Sequence, residues 1–316
     1  MPSSNIPVVD LHDWHAGGAA RDRFVRGVGE SLADIGFFAL ANHGIPAALT
    51  TAAYDAARAF FALPRPRKDA YHRVGGKGQR GYTGFGTEKA RDAGTPDLKE
   101  FWQVGRVGVA DDHAVHQPFG PNLWPDADVP AFRDVIGQLY TGLDGLGAVC
   151  LEAAARYLDE PAGRFADMAV DSDTIVRIIY YPPTVDAPVG AVRSAAHEDI
   201  NLITLLSGAT SEGLELLRRD GTWMPVHVSF DHIVVDSGDM LQNVTNGLYK
   251  STTHRVVNPR DASSDRYSMP CFIHPRRDVD LTPMASAVAR TGGISRYPAV
   301  TAGQYLDQRL REIGLA

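Results

Sequence analysis

The stretch Ala196-His197-Glu198-Asp199 sets an imidazole and a carboxylate two positions apart. On an extended strand, positions i and i+2 face the same way, so His197 and Asp199 project together and Glu198 points away. A neutral imidazole beside a carboxylate is two thirds of a 2-His-1-carboxylate site. Such a site holds Fe(II) on one face and leaves three positions for substrate and oxygen. A single His-x-Asp also arises by chance, so the pattern needs a second histidine. The chain has eleven histidines. His254, in KSTTHRV (250–256), opens an expected strand after a turn at Asn246-Gly247; His227, His232 and His274 lie in the same half. Pattern alone does not choose among these four.

A second constellation is Arg266-Tyr267-Ser268. Arg266 and Ser268 again share a face, and a guanidinium with a hydroxyl makes a fork for a carboxylate. Twelve positions separate His254 from Arg266, which allows a strand, a turn and a return strand. The expectation is a carboxylate anchor one strand away from the metal. Tyr181 closes the run TIVRIIYY on the face that also carries Arg177 and Ile179. Its hydroxyl is placed to donate to an organic acid, or to end at the rim of a core.

The elements that must position these groups change character along the chain. The spacing of Phe24, Val25, Val28, Leu32 and Ile35 predicts a helix over 19–35, stopped by Gly36. A short strand follows at 37–41, then a helix from Pro46 to about 63 and a long helix or helix pair over 129–158. The Gly- and Pro-rich segment 72–128 contains GGKGQRGYTGFG without a GK[ST] ending, which argues against a phosphate loop and for a loop over a site. From about 173 the period becomes two. Strands are expected at 174–181, 200–206, 213–218, 222–228, 232–236, 253–258 and 266–273, and a last helix at 302–313. The fold class expected is α+β, mainly β: a jelly-roll (double-stranded β-helix, cupin-like) core with a helical N-terminal half and a C-terminal helix. The expected divisions are 1–165, 166–300 and 301–316.

Composition narrows the function classes. A net charge of −7 without a basic stripe argues against nucleic acid, and the cluster Arg65–Lys68 reads as a solvated helix end. Two isolated cysteines, Cys150 and Cys271, make neither a disulfide framework nor a thiolate metal site. No secretory leader and no membrane-length apolar run is visible, so the expectation is a cytoplasmic enzyme acting on a small molecule.

Taken in order, RIIYYPP (177–183), HEDINLITLL (197–206), GLELL (213–217), SGDMLQNVTNGLYKSTTHRVV (237–257) and RYSMPCF (266–272) resemble the isopenicillin N synthase-like branch of the 2-oxoglutarate/Fe(II) dioxygenases. IPVVDL (6–11) and GFFALANHGIP (36–46) resemble the N-terminal region of the same family. The resemblance implies that His197, Asp199 and His254 are the iron ligands. It implies that Arg266 and Ser268 grip the distal carboxylate of 2-oxoglutarate, with help from Tyr181. It further implies oxidation of a substrate C–H by O₂, with release of succinate and CO₂. Many members carry Asn where this chain has Ile179, and HEDINLITLL is closer to the synthase's own version. Both features point to an alternative, a 2-oxoglutarate-independent oxidase. The substrate, taken as small and amino-acid-like, is expected to meet Arg80, Tyr82, Phe85, Lys99 and Trp102.

Overall fold

A computed structural model describes residues 5–88, 97–185, 187–188 and 190–315. Twelve strands are present among them: β1 (Val8–Asp10), β2 (Phe37–Ala41), β3 (Gly81–Thr83), β4 (Glu100–Val104), β5 (Ile175–Tyr181), β6 (Ser194–His197), β7 (Ile203–Ser207), β8 (Leu214–Leu217), β9 (Trp223–Pro225), β10 (Ile233–Ser237), β11 (His254–Val256) and β12 (Arg266–Ile273). They form an eight-stranded sheet, β1-β2-β10-β7-β12-β5-β4-β3, and a four-stranded sheet, β6-β11-β8-β9. All pairs are antiparallel except β1 with β2. The two sheets enclose one cavity, as a jelly roll requires.

The helix Phe132–Tyr157 turns Phe132, Ile136, Leu139, Leu143 and Leu146 inward and packs behind the large sheet on β7 and β12. The helix Gly18–Asp34 stops at Gly36, whose φ is +73°. A Cβ there would lie 2.3 Å from the Lys250 carbonyl oxygen, so only glycine lets the chain turn into β2 at this point. The C-terminal helix Ala302–Glu312 starts with a reciprocal cap between Thr301 and Gln304. Among the described residues no helix is long and apolar enough to cross a membrane.

Three elements depart from the sequence expectation. The segment read as a covering loop carries β3 and β4, which extend the large sheet beyond β5; residues 89–96 of that segment lie outside the described residues. β4 is buried at all five positions, so it shows no alternation to detect. β6 was not anticipated, and the strand expected from 200 begins at Ile203. The basic cluster is also only half solvated: Lys68 is buried and pairs with Glu100 at 2.6 Å. Both cysteines are free and buried.

Candidate metal and co-substrate site

His197 is the last residue of β6, and His254, the first of β11, lies directly opposite it in the ladder. Asp199 sits past the end of β6 in irregular backbone. The carboxylate therefore reaches the two imidazoles from just beyond the strand end. Asp199 Oδ1 lies 3.8 Å from His197 Nε2 and 3.7 Å from His254 Nε2, and one ligand atom from each residue fits within 4.8 Å of the others.

Each imidazole is held from behind. Nδ1–H of His197 donates to the Ala195 carbonyl at 2.8 Å, and Nδ1–H of His254 to that of Thr252 at 3.1 Å. These bonds select the tautomer with the Nε2 lone pair facing the centre. The Thr204 hydroxyl donates to Asp199 Oδ2 and leaves Oδ1 for the centre. Thr204 Oγ1 in turn accepts from Asn201 Nδ2 at 3.0 Å. Behind them runs Gly238, where a Cβ would lie 2.4 Å from the Asn201 carbonyl oxygen. Burial, then the neighbouring His254, push His197 down to about 4 against the pull of Asp199, so its imidazole is neutral. Neutral imidazole is the form that binds metal. Two oriented nitrogens, one free carboxylate oxygen and an open side suit Fe(II). Of the other barrel histidines, His227 and His232 are off the main cavity wall, and His274 is on it.

The cavity, about 250 Å³, runs between the sheets from this cluster. Across it, β5 and β12 pair Tyr181 with Arg266 and Ile179 with Ser268. Arg266 thus belongs to the sheet facing His254, not to the next strand in the same sheet. Its guanidinium lies 5.1 Å over the Tyr181 ring, and Nε donates to the Ser211 carbonyl at 3.1 Å. Its Nη1 is buried without a partner. An orphaned guanidinium nitrogen beside the Ser268 hydroxyl is a fork awaiting a carboxylate.

Residues 6–127 match the family model described as non-haem dioxygenase in morphine synthesis N-terminal, and 172–275 match that of the 2OG-Fe(II) oxygenase superfamily. A proline hydroxylase of Petromyces alliaceus is 32% identical over 92% of this chain and 93% of its own length. The chain belongs to the 2OG-Fe(II) oxygenase superfamily. A family protein from Caulobacter crescentus superposes on it with a TM-score of 0.86 at 39% identity, covering 98% of this chain and 99% of that one. A full-length Neurospora crassa protein solved in complex with alpha-KG does so with a TM-score of 0.85 at 26% identity, covering 97% and 95%. The protein is a 2-oxoglutarate/Fe(II)-dependent dioxygenase, an enzyme that uses Fe(II), 2-oxoglutarate and O₂.

Within this oxygenase the residues expected to meet substrate scatter. Only Lys99 reaches the cavity wall, and its ammonium is committed to Glu88 at 2.7 Å and Asp97 at 2.9 Å. Arg80 is fully buried and paired with Asp173 at 2.5 Å, away from the cavity. Tyr82 donates to Glu100 inside the core. Trp102 packs edge-on against Phe60 at 4.7 Å. Phe85 is half exposed and off the cavity wall. β3 and β4 alternate between two faces, and the reading of a free loop missed which side faced the barrel. Glu88, Arg177 and His274 are all on the wall; sequence reasoning did not single out Glu88, named Arg177 only for sharing a face with Tyr181, and named His274 only as a candidate second histidine. The signal for Arg177 was its place on the Ile179–Tyr181 face of β5. Burial alone would raise the Glu88 carboxyl, but Arg177 and Lys99 outweigh it and bring it down to about 2.

Proposed function

We propose that the enzyme hydroxylates an unactivated C–H of a small polar, amino-acid-like molecule, with His197, Asp199 and His254 as iron ligands and Arg266 and Ser268 as the anchor of 2-oxoglutarate. The observation that carries this reading is the pairing, across one cavity, of a preformed three-donor cluster with an orphaned buried guanidinium. Bound there, Fe(II) with 2-oxoglutarate supplies O₂ activation and C–H oxidation, with succinate and CO₂ released. The protein's part is placement. Ala195, Thr252 and Thr204 orient the three ligands. Arg266 and Ser268 receive the distal carboxylate, so the 2-oxo acid end is directed at the triad. The apolar wall of Leu206, Val234 and Val256 keeps water from the space between.

On the substrate side, Arg177 gives Nε to Gln103 and Nη1 to Glu88. Its guanidinium borders the cavity, and Phe272 supplies apolar surface beside it at 5.3 Å. The proline hydroxylase relative, and the Neurospora crassa protein solved with alpha-KG and thymine, support a small molecule of this kind. The Neurospora crassa protein solved with alpha-KG favours co-substrate use over the oxidase alternative. The test is an anaerobic titration of Fe(II)-loaded protein with 2-oxoglutarate, followed by visible absorption. A saturable charge-transfer band, weakened by Arg266→Ala, is expected, and succinate release then screens substrates. A band that Arg266→Ala leaves unchanged would overturn the assignment of Arg266 as the anchor.

A further inference from the structure

Arg193 is fully buried, yet among the described residues it makes no ion pair with an acidic side chain. Its backbone N–H donates to Asn258 Oδ1 at 3.0 Å, and Nη2 donates to the Ser264 carbonyl at 2.6 Å. Nε and Nη1 are buried without a partner. A buried guanidinium left this way is costly, since neither its charge nor its donors are compensated. Ser264 stands two positions before Arg266, which is itself buried without an acidic partner. Burial, and then repulsion from Arg266, hold Arg193 below the usual arginine range, while Tyr181, Asp265 and Tyr180 act in the opposite sense. Two buried guanidiniums, neither in an ion pair among the described residues, are thus joined through two positions of backbone, and that of Arg266 lies over the Tyr181 ring on the cavity wall.

Burying two like charges near one another is costly unless an anion completes the set. Resting on the reading that Arg266 and Ser268 hold the co-substrate, we propose that Arg193 is a second cationic positioning residue for the distal carboxylate of 2-oxoglutarate. It is not on the cavity wall, so it acts through its charge rather than by contact. Its field makes this end of the cavity selective for a 2-oxo diacid over a 2-oxo monoacid of the same chain length. In a buried site one unit charge at such range changes affinity by about tenfold or more.

The experiment compares anaerobic Fe(II) titrations with 2-oxoglutarate and with 2-oxopentanoate, which lacks the distal carboxylate. Arg193→Gln keeps a donor for the Ser264 carbonyl and removes the charge; Arg193→Lys keeps the charge and removes the fork. Expected is a roughly tenfold weaker 2-oxoglutarate affinity in the glutamine variant, an unchanged affinity for 2-oxopentanoate, and a lysine variant within about threefold of wild type for both. A glutamine variant that binds 2-oxoglutarate like wild type, or loses both acids equally, overturns the proposal. If the glutamine variant does not fold, the lysine variant decides: loss of 2-oxoglutarate beyond tenfold with charge retained rules out action by charge. Failure of the underlying reading looks different. Wild-type protein would then not distinguish the two acids, and Arg266→Ala would alter neither.

Discussion

Ile179 lies directly across the β5–β12 ladder from Ser268, so the hydroxyl that would share the co-substrate's carboxylate with Arg266 has an aliphatic side chain as its cross-strand neighbour. Ile179 clusters there with Phe101, Tyr181 and Val256. With no polar group from β5 at this level, the carboxylate depends more heavily on Ser268. A hydrogen bond to a charged group contributes about 1.5–3 kcal/mol, so Ser268→Ala is expected to weaken 2-oxoglutarate binding by about tenfold or more in the anaerobic titration. Ile179→Asn is expected to do the reverse, tightening binding a few-fold while lowering the melting temperature of the unliganded protein, because the amide is then buried without a partner. Equal binding by Ser268→Ala and wild type would remove Ser268 from the anchor.

Thr204 fixes which oxygen of Asp199 is free, by donating to Oδ2 from within β7. Partners that orient a ligand commonly account for 10–100-fold in metal affinity. Thr204→Val preserves shape and removes the donor, so iron affinity measured by chelator competition is expected to fall by roughly that factor. Thr204→Ser is expected to restore most of it. Wild-type affinity in the valine variant would show that the turn at Gly238 alone orients the carboxylate.

The metal cluster was legible in the sequence as residue types, and the strands as periods, but the route between them was not. His197-x-Asp199 reads as two groups on one strand face, whereas β6 stops at His197 and Asp199 lies in irregular backbone beyond it. That backbone packs on Gly238 and accepts from the Asp239 N–H at 2.7 Å through the Asp199 carbonyl, contacts made some forty positions away. Strand order hid the anchor in the same way: a hairpin from His254 to Arg266 looks local, but β11 and β12 enter different sheets. The buried charges were least legible. Lys68, Arg80, Lys99 and Glu100 have the composition of a surface, and they are buried around β3 and β4 because Lys68 pairs with Glu100, Arg80 with Asp173, and Lys99 with Glu88 and Asp97.

His274 lies on the cavity wall, buried, with Nδ1 lacking a partner. Burial lowers it to about 4, against the opposing charges of Asp173 and Asp199. In the unfolded chain it titrates near its ordinary value of 6.5. Between pH 6.5 and about 4 the unfolded chain therefore binds a proton that the folded chain does not, and stability falls as pH falls through that window. Above pH 6.5 the contribution is complete. His274→Gln is expected to remove up to about 1.4 kcal/mol per pH unit from the slope. Urea unfolding of metal-free protein at pH 7, 6 and 5 measures it. Glu88 acts lower, between 4.5 and about 2, and does not blur the comparison. An unaltered slope in the glutamine variant would mean that His274 takes up its proton over the same pH range in the folded and the unfolded chain.

Arg80 separates a structural from a substrate role most sharply. Its guanidinium donates to Asp173 Oδ1 and to the Gln79 carbonyl at 2.7 Å, and it lies against Gly105, where a Cβ would come within 2.2 Å of it. Of these residues only Gln79 borders the cavity; Arg80 and Asp173 do not. Removing one partner of a buried pair leaves an uncompensated charge and costs about 3–5 kcal/mol. Arg80→Met is therefore expected to lower unfolding free energy by about that amount, while the KM for substrate stays within about twofold of wild type. Arg80→Met with Asp173→Asn removes both charges and is expected to regain a large part of the loss, since the penalty lies in the stranded carboxylate rather than in the missing contact. A raised KM with unchanged stability would instead place Arg80 on the substrate path, and would require β3 to move when substrate binds.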